Sequence, residues 1–235
     1  MNIVERAKSI LLTPRPTWEV IDTEQTDTAS LYTGYLMILA AIPAVCGFIG
    51  MSIIGMGMFG VSMRVPFLAG LANMLVSYVL SLVGVYVLAV LIDLLAPRFG
   101  GVSSRIQALK VAVYASTAAM LGGVFALLPM LAMLSVLTGL YSVYLLYAGL
   151  PILMKSAREK SVAYTAVVIV AAIVLGRIVG AINARFMPRG AGPWAAGDTP
   201  VVSVRTPGGE VTIDGAGVAA MQRKMEEAAR SMEKA

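Results

Sequence analysis

Histidine is absent from the 235-residue sequence, and cysteine occurs once, as Cys46. Without histidine the chain has no His-based general acid–base catalysis, no histidine metal site and no Ser-His-Asp triad. A single cysteine forms neither an intramolecular disulfide nor a cysteine cluster for zinc or iron–sulfur, so we interpret Cys46 as a small apolar residue within a helix. The sequence also lacks a phosphate-binding loop, a Rossmann fingerprint and an HExxH motif. We therefore expect no catalytic residue, no cofactor and no bound metal.

Charge is scarce as well. Charged residues make up 13% of the chain and hydrophobic residues 58%, which is typical of an integral membrane protein. The net charge of +5 does not indicate nucleic-acid binding, because the excess of lysine and arginine lies at the ends of the apolar segments. Basic residues there retain loops in the cytoplasm and contact anionic lipid headgroups. We therefore expect these basic residues to interact with the lipid bilayer and not with nucleic acid.

The longest uncharged stretch organises the rest of the chain. Val111–Met154 holds about 44 residues without Asp, Glu, Lys or Arg, roughly twice the ~20 that cross a bilayer as one helix. Pro129 lies near its middle, after the Gly122-Gly123 pair. The stretch therefore predicts a helical hairpin of two spans joined by a tight turn.

The apolar segments together predict an all-α polytopic membrane protein with five transmembrane helices. The predicted spans are Leu31–Gly55, Phe67–Ala96, Gln107–Leu128, Met130–Met154 and Val162–Ala184. The predicted regions are a cytoplasmic amphipathic helix and linker (1–30), the membrane domain (31–184), a Pro/Gly-rich linker (185–200) and an extracytoplasmic tail (201–235).

Basic residues near the span ends predict the orientation of the chain. Nine lie on the side of the N-terminus and three on the other side, which predicts the N-terminus inside and the C-terminus outside. The nine are Arg6, Lys8, Arg15, Arg98, Arg105, Lys110, Lys155, Arg158 and Lys160, and the three are Arg64, Arg185 and Arg189.

The N-terminal segment is amphipathic. Apolar residues within Ile3–Leu11 fall on one helical face, and Pro14 and Pro16 end the pattern. The other face is polar and carries Glu5, Arg6, Lys8 and Ser9. We interpret this segment as a helix lying in the cytoplasmic interface, with Trp18 at headgroup depth; the alternative is a helix packed onto the bundle. Ile21–Ser30 predicts a solvated linker.

The tail combines two patterns. Val202–Val204 and Val211–Ile213 alternate apolar and polar residues around a Pro-Gly-Gly turn, which predicts a β-hairpin. A heptad seam follows at Val218, Met221, Met225, Ala228 and Met232. Two heptads fit either a helix that covers its own hairpin or a docking or self-association element.

One acidic residue, Asp93, lies between Asp27 and Glu159, near the inner end of the second span. Lys110 and Arg105 reach about the same depth from the neighbouring span. We hypothesise that Asp93 pairs with one of them and fastens the two helices together. The alternative is that Asp93 carries a proton or an ion.

Arg177 lies near the outer third of the fifth span, at about the depth of Asn73 in the second. It either snorkels outward or hydrogen-bonds inward to Asn73 and helix carbonyls. Small residues at every fourth position beside it predict a helix-packing ridge, against another span or a second copy of the chain. The ridge consists of Ala172, Gly176, Gly180 and Ala184.

Methionine is frequent in the loop after the first span. Thioethers select Cu(I), so copper handling is a separate hypothesis, although no cysteine or histidine supports such a site. The residues are Met51, Met56, Met58 and Met63.

Several stretches resemble bacterial members of the Yip (Ypt-interacting protein) domain family. They are Ile10–Pro14 continuing through Trp18–Ile21, Ala108–Tyr114, Leu127–Pro129, Leu140–Tyr144 and Gly149–Lys155. The likeness covers residues 1 to about 184. It implies five spans with the N-terminus inside, in a bacterial inner membrane.

Eukaryotic members of that family bind Rab-type GTPases, often through a longer cytosolic region with an Asp-Leu-Tyr-Gly-Pro motif. This chain lacks the motif, and Ala118 follows Tyr114 where many relatives have a proline, so the resemblance does not imply Rab binding. We expect a non-enzymatic protein that scaffolds the membrane or assists a membrane-protein partner, alone or as a homo-oligomer. The alternative is a small transporter or channel with Arg177, Asn73 and Asp93 along its path.

Overall fold

The computed structural model describes residues 2–54, 56–58, 61–63, 65–127, 131–156, 158–186, 202–206 and 209–213. The predicted turn at Pro129, most of the linker and the heptad seam from Val218 to Met232 lie outside the described residues. The side chains of residues 55–64 and 184–186 also lie outside the description, so the copper hypothesis and the Ala184 position of the ridge stay predictions.

Five helices in the described part of the chain are long and apolar enough to cross a membrane, which confirms the predicted number of spans. Their bounds agree with the predicted ones to within a few residues. They are preceded by two short helices, α1 and α2. The bounds are α1 Ile3–Leu12, α2 Pro14–Thr23, α3 Thr28–Ile54, α4 Phe67–Leu95, α5 Arg105–Leu127, α6 Ala132–Leu153 and α7 Arg158–Phe186.

Four short strands form one antiparallel sheet in the order β1-β2-β3-β4. Their bounds are β1 Met56–Met58, β2 Val61–Met63, β3 Val202–Thr206 and β4 Gly209–Ile213. Val61 of β2 is paired with Val204 of β3. The connection between α3 and α4 therefore shares a sheet with the segment that follows α7.

α5 is the central helix of the bundle. In its most apolar 18-residue window 67% of the residues are buried, against 11% to 33% in the other four spans. Every residue of 108–115 is buried, including Lys110. α5 also carries Gln107 and Thr117, and such polar groups in a membrane helix turn toward protein rather than lipid. This polarity explains why α5 is the helix that the others surround.

Hydrogen bonds and close backbone approaches hold the neighbouring helices to one another. The Tyr32 hydroxyl of α3 donates to the Leu82 carbonyl of α4 (3.1 Å), and the Tyr78 hydroxyl of α4 donates to the Met37 carbonyl of α3 (3.1 Å). Near the C-terminal end of α3, a Cβ added at Gly50 would lie 2.1 Å from the Ala126 carbonyl oxygen of α5. Only glycine lets these two backbones approach so closely.

The start of α3 is fixed by a side-chain cap. The Asp27 carboxylate accepts hydrogen bonds from the backbone N–H groups of Ala29 and Ser30, both at 3.2 Å, and from the Ser30 hydroxyl. These bonds satisfy N–H groups that have no partner within the helix. The Ser30 hydroxyl and then the Ser30 N–H hold the pKa of Asp27 below its usual value.

The N-terminal segment confirms one prediction and corrects two. α1 ends at Leu12, just before Pro14, as predicted, and the two prolines lie in the first turn of a second helix, α2, where proline is favoured because its missing N–H needs no partner. Trp18 is fully buried against the bundle, so its ring does not face the lipid headgroups. Ile21 is also fully buried and belongs to α2, so the stretch Ile21–Ser30 is not a solvated linker throughout. The alternative of a segment packed onto the bundle is the one that the structure shows.

We call α1 and α2 together the N-terminal hairpin. The Thr17 hydroxyl lies 3.1 Å from the Ser9 carbonyl of α1 and 2.6 Å from the Thr13 carbonyl, and so ties the two helices together. The hairpin packs where α5 begins and α6 ends, which we call the hairpin end of the bundle. The opposite end, where α3 ends at Ile54 and α4 begins at Phe67, is the far end.

We predict that Gly50→Ala destabilises the protein by about 1–3 kcal/mol, because the new methyl group overlaps a backbone carbonyl of α5. Gly47 is the matched control on the same helix, since a Cβ there meets no atom within 4 Å. Gly47→Ala should leave stability unchanged or raise it by up to about 1 kcal/mol. Unfolding of the purified protein by titration with SDS in mixed micelles measures both. Equal stability of the two variants would contradict the close approach at Gly50.

Candidate functional site

Lys110 is the centre of a polar cluster at the hairpin end. Its side chain is 3% exposed, and its Nζ donates to the backbone carbonyls of Ile21 (2.9 Å) and Glu24 (2.6 Å). These carbonyls lie at the C-terminal end of α2, where helix carbonyls lack partners and the helix dipole favours a positive charge. Lys110 of the third span therefore caps a helix of the N-terminal hairpin.

Gln107 adds a second contact to the same helix end. It precedes Lys110 by one turn of α5, so the two side chains share one face. The Gln107 Nε2 donates to the Asp22 carbonyl (3.2 Å) and to Asp22 Oδ1 (3.1 Å). α5 thus presents two donors, one charged and one neutral, to the last turn of α2.

Arg6 joins α1 to the same cluster. Its guanidinium forms an ion pair with Glu24 and lies over the Tyr114 ring, 5.8 Å from the ring centroid. Only 6% of Arg6 is exposed, so its assignment to the polar, outward face of α1 was wrong. Its Nη1 is buried without a hydrogen-bond partner among the described residues. A polar pocket of about 310 Å³ beside it is large enough for water.

Aromatic side chains form the apolar part of the site. The Tyr114 ring meets Trp18 edge-on at 6.3 Å and Tyr35 at 4.9 Å between centroids. The Tyr35 and Thr117 hydroxyls lie 2.9 Å apart within the bundle. A Cβ added at Gly149 of α6 would lie 2.7 Å from the Trp18 ring. Trp18 therefore fills a slot that exists because α6 has glycine there, and this packing complements the charged contacts of α5.

Asp93 lies at the same end but outside this cluster. The Ser103 hydroxyl donates to Asp93 Oδ1 (2.7 Å), and Arg105 Nε lies 3.8 Å from Oδ2. Of the two predicted partners, Arg105 is therefore the one beside Asp93, while Lys110 binds α2. Because the Arg105 side chain is 62% exposed, we expect this ion pair to stabilise the fold by no more than about 1 kcal/mol.

The structure does not bring Arg177 and Asn73 together. Arg177 is exposed on α7, and no hydrogen bond among the described residues joins it to Asn73. The residue of α7 that reaches α4 near this level is Asn183, whose amide exchanges hydrogen bonds with the Ser77 hydroxyl at 2.9 and 3.1 Å. Of the two alternatives for Arg177, the inward contact with Asn73 is not formed among the described residues, and the exposed side chain agrees with outward snorkelling.

The predicted ridge on α7 is uncovered where it is described. A Cβ added at Gly176 or Gly180 would meet no atom within 4 Å, so no other described span packs closely on these two positions. Ala172, at the start of the ridge, borders a groove that α4, α5 and α6 also line. Of the two alternatives for the ridge, a partner span of the same chain is therefore not found at Gly176 and Gly180 among the described residues.

The cluster acts as a fastening between the hairpin and the central helix. Its two cations, Arg6 and Lys110, face the carboxylate of Glu24 and the carbonyl end of α2. The sequence contained a signal for it, because Gln107 and Lys110 are donors one turn apart and Asp22 and Glu24 are acidic residues before the first span. The contribution of Arg6 had no comparable signal.

We predict that Lys110→Met, which keeps the volume and removes the charge, loosens the hairpin by about 2–3 kcal/mol, because the last carbonyls of α2 lose a charged donor. In a Trp194→Phe background Trp18 is the remaining tryptophan, and its emission should shift to longer wavelength and become quenchable by acrylamide.

Lys160→Met is the control, since Lys160 is an exposed lysine near the start of α7. It should leave Trp18 emission and quenching unchanged. Native emission and an unchanged thermal midpoint in Lys110→Met would show that this cap does not hold the hairpin.

Comparison with known proteins places this architecture in a family. A family model described as the Yip1 domain matches residues 8–179, from α1 into α7. The chain is similar to inner membrane protein YohC of Escherichia coli strain K12, with 29% identity over 151 residues that cover 63% of this chain and 77% of YohC. YohC of E. coli O6:H1 strain CFT073 gives the same values. No solved structure matches the chain. The resemblance noted from the sequence is confirmed: the chain belongs to the Yip1-domain family and is a multi-pass inner-membrane protein.

Proposed function

We propose that this protein is a non-enzymatic scaffold of the inner membrane, which assists a partner by packing a second membrane helix against α7. The uncovered ridge on α7 is the observation that supports this proposal. Gly50 and Gly149 show the packing that such a surface supports, because α5 approaches Gly50 closely and Trp18 approaches Gly149 closely within the same chain. Gly176 and Gly180 present the same kind of surface to the lipid.

Small residues on a lipid-facing helix favour association because they let a second backbone approach closely. A rigid helix follows the shape of such a ridge and packs against it with close van der Waals contact, whereas mobile lipid tails do not. At Ala172 the ridge meets an open, mainly apolar groove of about 580 Å³. The groove and the ridge together provide a longitudinal surface for a partner helix, from another membrane protein or from a second copy.

The orientation is part of the proposal. Nine basic residues near the span ends on the side of the N-terminus, against three on the other side, favour a cytoplasmic hairpin end and an extracytoplasmic far end. The tail would then serve as a contact module outside the cytoplasm, with β3, β4 and the predicted heptad seam from Val218 to Met232 available to a partner. The docked hairpin would give the cytoplasmic side a fixed, folded surface.

The transport alternative has less support from the geometry. Its three residues do not line one path, because Asp93 is held by Ser103 and Arg105 at the hairpin end while Arg177 is exposed on α7. Asn73 lies in a separate cavity at the far end.

We predict that cysteine placed on the ridge forms crosslinks in native membranes. In a Cys46→Ala background, Gly176→Cys and Gly180→Cys should give several times more crosslinked product than Val174→Cys, which is 52% exposed on the opposite side of α7. Mass spectrometry of the product identifies a partner protein or a second copy.

Equal crosslinking at Val174 and on the ridge would contradict the proposal. So would affinity purification in mild detergent that recovers neither a partner nor an oligomer. Liposome flux that is lost in Arg177→Ala would favour the transport alternative instead.

A further inference from the structure

A cavity of about 350 Å³ lies at the far end, between α3, α4 and α7. This volume falls at the lower end of the range for small-molecule sites and exceeds that of a few water molecules. The polar residues that line it are Ser52, Asn73, Ser77, Ser81 and Asn183. The remaining wall is apolar and includes Pro43, Phe48 and Met74.

Two polar atoms at this cavity are fully buried and have no hydrogen-bond partner among the described residues. They are Oδ1 of Asn73 and Oγ of Ser52. Ser77 and Asn183 bond to each other, and the Ser77 hydroxyl also lies 2.7 Å from the Asn73 carbonyl, so these groups do not satisfy the Asn73 amide oxygen. A buried acceptor without a donor is costly in a membrane, where lipid tails offer none.

The chemistry of the wall defines the ligand. Asn73 Oδ1 can only accept, so the ligand must donate a hydrogen bond, and Ser52 Oγ can accept or donate. No Asp, Glu, Lys or Arg lies among the described residues that line the cavity, so neither a cation nor an anion would find a countercharge there. A neutral hydroxyl group meets both requirements.

We propose that this cavity binds an uncharged, glycerol-like hydroxyl group, which donates to Asn73 Oδ1 and exchanges a hydrogen bond with Ser52. The apolar remainder of the wall suits hydrocarbon attached to that group. The hydroxyl can come from the glycerol moiety of a neutral lipid or from a free polyol, which share this chemistry. The inference does not depend on the ridge of α7, so either proposal can fail alone.

The probes are 1,2-dioctanoyl-sn-glycerol for the lipid source and glycerol for the free source. The full chain is held in phosphatidylcholine nanodiscs, and binding is measured by the shift of the thermal midpoint and by native mass spectrometry. We expect wild-type protein to bind dioctanoylglycerol. An analogue with its free hydroxyl methylated should bind about tenfold more weakly, because one hydrogen bond is lost.

Two variants test the location. Asn73→Leu removes the acceptor at nearly constant volume and should weaken binding about tenfold. Gly47 lines the cavity, and a Cβ there meets no atom within 4 Å, so Gly47→Leu adds a side chain at the cavity wall and should weaken or abolish binding. Gly84→Ala is the control, because its Cβ makes only an ordinary contact with Val179 of α7 at 3.9 Å.

Each outcome decides the proposal. Binding that is kept in Gly84→Ala and reduced in both test variants supports it, and if glycerol alone shows this pattern the source is the aqueous phase. Failure of both probes to bind wild-type protein would overturn it. So would a probe affinity of Asn73→Leu equal to that of wild-type protein, or a methylated analogue that binds as tightly as dioctanoylglycerol. If Gly47→Leu does not fold, Asn73→Leu and the analogue still decide the result.

Discussion

The structure depends on the need to satisfy a buried ammonium group where lipid supplies no hydrogen-bond partner. Lys110 lies on the most buried helix of the bundle, and α2 ends in backbone carbonyls that have no partner within their own helix. Each group would be costly alone, because an unpaired charge or carbonyl away from water loses its hydration without compensation. Together they make a charge-assisted contact that fixes the N-terminal hairpin on the bundle.

This constraint orders the rest of the fold. α5 carries the polar groups of the hairpin end, so it lies at the centre, and the more apolar helices surround it and face the lipid. Glycines then set how closely these helices pack: a Cβ at Gly123 would meet Pro43 of α3 at 2.4 Å, and one at Gly122 would meet Thr138 of α6 at 1.9 Å. Helices in lipid gain little from burying apolar surface against each other, so such close approaches contribute much of their association.

The spans were predictable from the sequence, because their length and lack of charge reflect the thickness of the bilayer. The contacts between them were only partly predictable. Depth along the membrane brought Asp93 near Arg105, but it failed for Arg177 and Asn73, since equal depth says nothing about the direction in which a side chain leaves its helix. The prediction for Trp18 failed for a related reason, because an aromatic residue beside a membrane segment suits both the headgroup layer and a buried slot. The choice between them depended on Gly149, which lies far away in the sequence.

α7 borders both regions for which we propose a ligand or a partner, the cavity at the far end and the uncovered ridge. It is the least buried span, with 11% of its most apolar window buried. Asn183 attaches it to α4 at the wall of the far-end cavity, while Gly180, less than one turn away, lies on the uncovered ridge. A ligand that fills the cavity would brace the α3–α4 wall against which α7 is held. The position of the ridge in the membrane would then depend on that ligand, because a ridge supports close helix packing only when its own helix is fixed in rotation and tilt.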